Sequence, residues 1–435
     1  MEQTECEAEA RDPADKTAAV VRLWLLRILA RLGGHRKFVG QRGLDDESVA
    51  RAIGLAGYGN DDPDRDFVPE LVVLAIRDLH EDAEQSLAGA TVPPRLARNA
   101  ERLGAIVGLG AAERRILEFA VMAKIDPVLL EGTGYLEAGG SASLYRALAV
   151  ILALPEREVR AAVSAQGTLL RSGLVTIDYE SCRSGVRAKL ELLSHGFADR
   201  MMSDDDDPIL LLRESISLGS PPLLAVADFA HVSDTLAVLE PYLAHALETA
   251  RAGVNVLIHG DPGTGKSQLA RVLAARTGAE LFEVASEDGD GDPLHGELRL
   301  RSFRAAQCCL ARRRAIVLFD EVEDVFSDGG GLFSRRSVAQ HRKAWINRAL
   351  EGNPVPAIWL SNTAACFDPA FLRRFDVVLE LGVPPLRDRQ RIVSAACGDM
   401  LSATDLARFA ATEPLAPAVV SRAASVVQAI RSTLP

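Results

Sequence analysis

The chain lacks the marks of export and of membrane insertion. Its opening, MEQTECEAEARDPAD, is acidic where a signal peptide is basic and then apolar. The most hydrophobic early stretch, 20–32, is interrupted by Arg22, Arg27 and Arg31, which leaves it too short and too charged to span a bilayer. Cysteine is sparse, with Cys6, Cys182, Cys308, Cys309, Cys366 and Cys397 forming no C-x-x-C pair. Zinc-ribbon and thioredoxin-like motifs are therefore excluded, and the thiols read as free in a reducing compartment. H-E-x-x-H occurs nowhere, so a zinc peptidase centre of that type is absent. Net positive charge is missing too. The formal charge of -11 and pI near 5.4 argue against a general nucleic-acid coat, though a local basic patch remains compatible. Glycine and proline follow no period, which excludes a collagen-like chain, and no repeat of about 20–50 residues stands out. Together these absences predict a cytoplasmic protein.

What is present is ordinary for a globular chain. Apolar residues make up 48% and charged residues 25% of the 435, enough for a sizeable core. At about 100–200 residues per domain, the length suggests two to four domains. Residues 1–16 read as a disordered acidic tail. Helical spacing over 17–32, 45–56 and 70–87, around a loop at 57–69, predicts a helical domain at 17–90. Over 91–200, helices at 111–124, 141–154 and 155–164 precede a Gly-punctuated, hairpin-like segment at 167–178, a winged-helix-like order. Such a module docks proteins or binds DNA. The segment's net charge of about +2 favours docking, while Arg183, Arg187 and Lys189 are the candidates for phosphate contact. The run Ser203-Asp-Asp-Asp-Asp-Pro208 reads as part of a solvated linker, 201–221.

The chemistry begins after residue 222. A strand, Val254-Asn-Val-Leu-Ile-His259, runs into Gly260, Asp261, Pro262, Gly263, Thr264, Gly265, Lys266 and Ser267, and a helical pattern follows to Thr277. This is G-x-x-x-x-G-K-[ST] in its strand-to-helix setting. Glycines let backbone N–H groups turn inward around a β-phosphate, Lys266 meets the β- and γ-phosphates, and the Ser267 hydroxyl suits Mg2+. The helix N-terminus adds partial positive charge. Downstream, Ala315-Ile-Val-Leu-Phe-Asp320-Glu321 is a buried strand ending in two carboxylates, Asp320 for the metal and Glu321 for polarising water. A further apolar strand, Ala357-Ile-Trp-Leu-Ser, ends in Asn362, which can hold the attacking water from the opposite side. Arg373 and Arg374, after a Pro-started turn, can reach a neighbouring subunit's γ-phosphate.

These four elements in order resemble the AAA module of the AAA+ ATPases, from about residue 222 to 435. The stretch Asn362 to Asp376 resembles that group's second region of homology in its Arg-Arg-Phe form. Trp345-Ile-Asn-Arg-Ala-Leu-Glu-Gly-Asn-Pro-Val-Pro356 is similar to a bacterial subgroup. The resemblance implies an α/β fold, a doubly wound parallel sheet at 222–384 with a helical lid at 385–435. It also implies ATP and Mg2+ as ligands, active sites between subunits, and a homo-oligomeric, usually hexameric ring that remodels a protein client. In the lid, Arg422 reads equally as a nucleotide-sensing arginine or a plain surface residue.

The sequence departs from the group in one place. Threading relatives carry an aromatic-apolar-Gly pore loop, but the corresponding stretch, Ser286-Glu-Asp-Gly-Asp-Gly-Asp-Pro-Leu-His-Gly296, is acidic and has no aromatic residue beyond His295. Either the ring grips clients differently, through Leu294 and His295, or it does not thread. Asp288, Asp290 and Asp292 have the opening spacing of a calcium loop, yet Pro293 stands where Gly is needed and Arg299 where the closing Glu belongs. The rival functions are a DNA-associated regulator with an ATP-driven switch and a scaffold that binds ATP without hydrolysing it.

Overall fold

The computed structural model describes residues 13–56, 67–136, 140–178, 189–204, 207–326, 343–365, 367–397, 400–411 and 416–430. The chain divides into two compact units, 1–214 and 215–435.

The first unit is built around the helix Pro13–Arg31. Leu25, Leu26, Ile28 and Leu29 on it are fully buried, so the helix is apolar on more than one face and needs cover on several sides. Helices Glu47–Ile53, Pro69–Ser86, Pro127–Gly134 and Ser141–Leu152 supply that cover. Trp24 meets Phe119 of the helix Ala111–Ile125 edge to face, at 5.3 Å between ring centroids. Arg27 is buried in the same helix, and its guanidinium is satisfied by the Glu84 carboxylate at 2.7 and 2.8 Å and by the Ile151 carbonyl at 2.7 Å. Helices from 17–90 and 91–200, expected as separate domains, therefore share one core. The fully buried faces of the first helix leave too much apolar surface for its own region to cover.

Two further expectations change here. The segment 167–178 is not a hairpin by itself: Thr168–Arg171 is helical, and strand β1 (Val175–Ile177) pairs antiparallel with β2 (Leu190–Leu192). Arg183 and Arg187 lie outside the described residues. Lys189 is buried, which removes it as a phosphate contact. Nor is 201–221 a solvated linker throughout. Asn99 Nδ2 donates to the carbonyls of Met201 and Ser203, at 3.1 and 2.8 Å. Asp204 lies 2.7 Å from Arg95, and Asp207 caps the 3-10 helix Pro208–Leu212, where Ile209, Leu211 and Leu212 are buried. Three apolar residues following the aspartates outweigh the solvating effect of the charge run.

The second unit holds a six-stranded sheet in the order β3-β5-β6-β7-β4-β8. Its strands are β3 (Ile216–Leu218), β4 (Asn255–His259), β5 (Glu280–Val284), β6 (Ala315–Phe319), β7 (Ala357–Ser361) and β8 (Val377–Glu380). The last five run parallel, and β3 closes one edge antiparallel to β5. Strands β6 and β7 are buried along their whole length, as their unbroken apolar runs require of a sheet covered on both faces. Strand β4 carries a fully buried polar residue, Asn255. Its Nδ2 donates to Leu350 O at 2.7 Å, its Oδ1 accepts from Trp359 Nε1 at 3.1 Å, and its N–H donates to the Asp376 carboxylate at 2.8 Å. That network ties β4, β7 and the start of β8 to the 350–356 segment. Three helices follow the sheet: Leu386–Cys397, Ala403–Ala411 and Pro417–Ile430. They pack around Val393, Cys397, Ala410, Val420 and Ala424. Cys308, Cys309 and Cys397 are not in disulfides. Among the described residues no helix is long and apolar enough to cross a membrane.

Candidate functional site

Strand β4 has β7 on one side and β8 on the other, and β6 lies beyond β7. Because these strands are parallel, their carboxyl ends open on one edge of the sheet, where open α/β sheets bind ligands. Loop 260–267 leaves β4 there, Asp320 and Glu321 leave β6, and Asn362 leaves β7.

The loop's backbone is one that side chains resist. Gly260, Gly263 and Gly265 have φ of 145, 80 and 100°. At Gly260 a Cβ would also lie 2.2 Å from the Leu381 carbonyl, and Leu381 N–H in turn donates to His259 O at 2.7 Å. Beneath Gly265 packs the ring of Phe229, buried in the 3-10 helix Val226–Val232. A cavity of about 430 Å3 is lined by Val226, Phe229, Leu236, Pro241 and Arg276; none of these belongs to the loop.

Helix Lys266–Thr277 starts at Gly265 and ends at Gly278, which adopts a left-handed cap. Its first residue, Lys266, is buried, and Nζ donates to Gly260 O at 2.7 Å, Asp261 O at 3.0 Å and Asn362 Oδ1 at 3.0 Å. Burial pushes the ammonium below the usual lysine range, against the opposing pull of Asp320, Glu323 and Asp261. Ser267 Oγ donates to Asp320 Oδ2 at 2.9 Å. Thr264 Oγ1 donates back to Asp261 O at 2.9 Å and holds the loop closed. Asp261 and Pro262 are on the outer turn.

A hydroxyl and a carboxylate converging at the loop are hard oxygen donors, which fit Mg2+ completed by phosphate oxygens and water. No cluster of three or more His, Cys, Asp or Glu residues suited to a metal occurs among the described residues. In the acidic loop the Asp288 carboxylate accepts from the N–H groups of Asp290 and Asp292 at 3.0 and 2.9 Å.

Glu321 is exposed, and its φ of 50° is one of three positive values among the described non-glycine residues. Its N–H donates to Asp320 Oδ1 at 2.8 Å, and the next N–H, of Val322, donates to Leu360 O at 3.1 Å. Asn362 is also exposed beside Lys266. The structure thus brings Lys266, Ser267, Asp320 and Asn362 within hydrogen-bonding distance of one another in pairs.

It does not bring Arg373 and Arg374 there. Arg373 Nε donates to Pro369 O at 3.3 Å. Arg374 Nη1 donates to Ala370 O at 2.6 Å, and Nε lies 3.0 Å from Glu351 Oε1 in an ion pair without hydrogen-bond alignment. Both follow the short helix Pro369–Leu372, capped by Asp368. Arg422 is exposed on the helix Pro417–Ile430. That helix nonetheless reaches the loop at its start, where Ala418 N–H donates to Gly263 O at 3.1 Å.

Sequence reasoning missed two residues of this site. Glu323 accepts from Ser361 Oγ at 3.0 Å and from Asn362 N–H, and so fixes the end of β7. Its signal was its place in the acidic run after β6. Arg299, buried at 3% exposure, donates to the carbonyls of both Asp320 and Glu321. Nothing in its own sequence neighbourhood announces that.

Residues 256–383 match the family described as "ATPase family associated with various cellular activities (AAA)". Among curated proteins, the chain is 34% identical over 152 residues to the ATPase family gene 2 protein homolog B of Bos taurus, covering 33% of this chain and 20% of that protein. It is 30% identical over 199 residues to the 26S proteasome regulatory subunit 7 of Dictyostelium discoideum, covering 41% and 44%. The matched part thus spans less than half the length of either relative. Among solved structures, the AAA domain of FIGL-1 in complex with ADP is 19% identical with a TM-score of 0.37, covering 53% of this chain and 82% of that one.

Proposed function

From the AAA ATPase domain that residues 256–383 form, we infer that the protein is an ATP hydrolase that works as a ring and remodels or disassembles a protein complex. The observation that carries the hydrolysis is the convergence of Lys266, Ser267, Asp320 and Asn362 at one sheet edge, with Glu321 exposed beside them.

Loop N–H groups at 260–267 receive the β-phosphate, and Lys266 exchanges its carbonyl partners for β- and γ-phosphate oxygens. Ser267 and Asp320 would hold Mg2+, which would neutralise charge on the phosphates. Glu321 accepts the proton of the attacking water, and Asn362 orients that water from the opposite side. Arg373 and Arg374 serve the neighbouring subunit, where they stabilise charge building on the transferred phosphoryl group. Their partners in this chain, Pro369, Ala370 and Glu351, leave them away from their own loop, which accords with a role in trans. Hexamers are the expected assembly. The helical first unit docks the partner. A DNA-reading role for that unit is the weaker reading, since Lys189 is buried.

Mixing inactive variants tests the shared site. Arg374→Ala and Glu321→Gln subunits, each inactive alone, regain turnover together because each supplies what the other lacks; no recovery at any ratio contradicts sites built between subunits. Glu321→Gln protein loaded with ATP in a lysate of the source cells then retains the client. A discrete protein, lost when Lys266 is also changed, is the expected result. Recovered DNA with little protein would overturn the remodelling role.

A further inference from the structure

Glu321 presents a difficulty that the loop residues do not solve. A glutamate held at a φ of 50° occupies a region that L side chains disfavour, and it persists only where surrounding bonds impose it. The exposed carboxylate receives no such restraint from solvent, so the restraint has to come from the backbone on either side.

Arg299 supplies it. The residue sits in the first turn of the helix Gly296–Leu310 and is 3% exposed. Nη1 donates to Glu321 O at 2.9 Å, Nη2 donates to Asp320 O, and Nε donates to Ala285 O at 3.3 Å. Its carbon Cζ stands 4.6 Å from the centroid of the Phe319 ring, the residue preceding Asp320. A planar fork with five fixed donors can hold successive carbonyls at once while its face lies on an aromatic ring; an ammonium cannot.

We propose that Arg299 is a positioning residue for Glu321, clamping the 320–321 backbone so that the carboxylate faces the attacking water. The inference rests on the hydrolytic reading above. It also gives the acidic loop a mechanical link to the site, because Ala285 is the first residue after β5 and the root of that loop.

Full-length Arg299→Lys and Arg299→Gln proteins test it. In both, kcat falls by about tenfold or more, the Gln variant further than the Lys variant, while affinity for ADP by calorimetry stays within about threefold of the unaltered protein. Phe319→Leu, which removes the ring under the guanidinium, lowers kcat in the same direction. Should Arg299→Gln fail to fold, Arg299→Lys and Phe319→Leu decide. Turnover near that of the unaltered protein in these variants overturns the proposal. So does a loss of ADP affinity as large as the loss of kcat, which would mark a general structural defect. If the unaltered protein has no turnover, the hydrolytic reading falls, and amide exchange judges the clamp. Faster exchange at Glu321 and Val322 in Arg299→Lys, with β6 unchanged, supports it; unchanged exchange at both overturns it.

Discussion

At the scale of single residues, the carboxyl of Glu118 is the clearest case of an environment overriding a side chain's ordinary chemistry. Burial in the helix Ala111–Ile125 pushes it up to about 7, against the opposing pull of Arg115 and Arg114. A folded-state value above the unfolded one contributes stability that is fully present below about pH 4.5 and is lost as pH rises through about 7. At about 1.4 kcal/mol per unit the loss is at most about 3.5 kcal/mol, less what solvent reaching the partly exposed group screens. Glu118→Gln therefore raises the melting temperature at pH 8 and changes it little at pH 4, a difference that thermal unfolding at the two values checks. Residues of this kind were not legible in the sequence. Lys266 and Ser267 were, because their partners lie in a contiguous string whose glycines declare the backbone. Glu118 is shifted by burial that only the tertiary fold supplies, Glu323 and Arg299 act through groups distant in sequence, and the bonds of Arg299 to backbone carbonyls leave no trace in residue type.

Elements were legible in proportion to their apolar runs. β4, β6 and β7 follow directly from unbroken stretches such as Ala315-Ile-Val-Leu-Phe, since only a strand covered on both faces buries every residue. Between them, Trp359 stacks on Phe319 at 5.0 Å and tilts against Phe303 at 4.8 Å, so the strand that delivers Asn362 and the one that delivers Asp320 share an aromatic core. Trp359→Ala removes that contact and leaves Asn255 Oδ1 without its indole donor. The expected cost is about 3–5 kcal/mol, read as a lower denaturant midpoint. Three-residue strands are a different matter. β2 has no room for a period, and the helix Thr168–Arg171 is a single turn, so the ribbon was placed too early in the chain. The aspartates at 204–207 misled for a related reason: their charge dominates local composition, while Ile209, Leu211 and Leu212 are buried just after them.

At the scale of the whole molecule, a helical unit with its own core is joined to a unit whose residues 256–383 match the AAA family, and helices follow that match. The division at 214–215 lies inside the stretch that composition marked as a linker. The hydrolytic part of the reading predicts a separation of binding from chemistry, because Lys266 and Glu321 occupy the same edge with different duties. Lys266→Ala abolishes ATP binding. The most direct measurement is therefore ATP affinity and phosphate release on the same preparations of unaltered and Glu321→Gln protein. The account predicts that Glu321→Gln binds ATP about as tightly as the unaltered protein while releasing phosphate at least about 100-fold more slowly. Phosphate release by Glu321→Gln at the unaltered rate would contradict it.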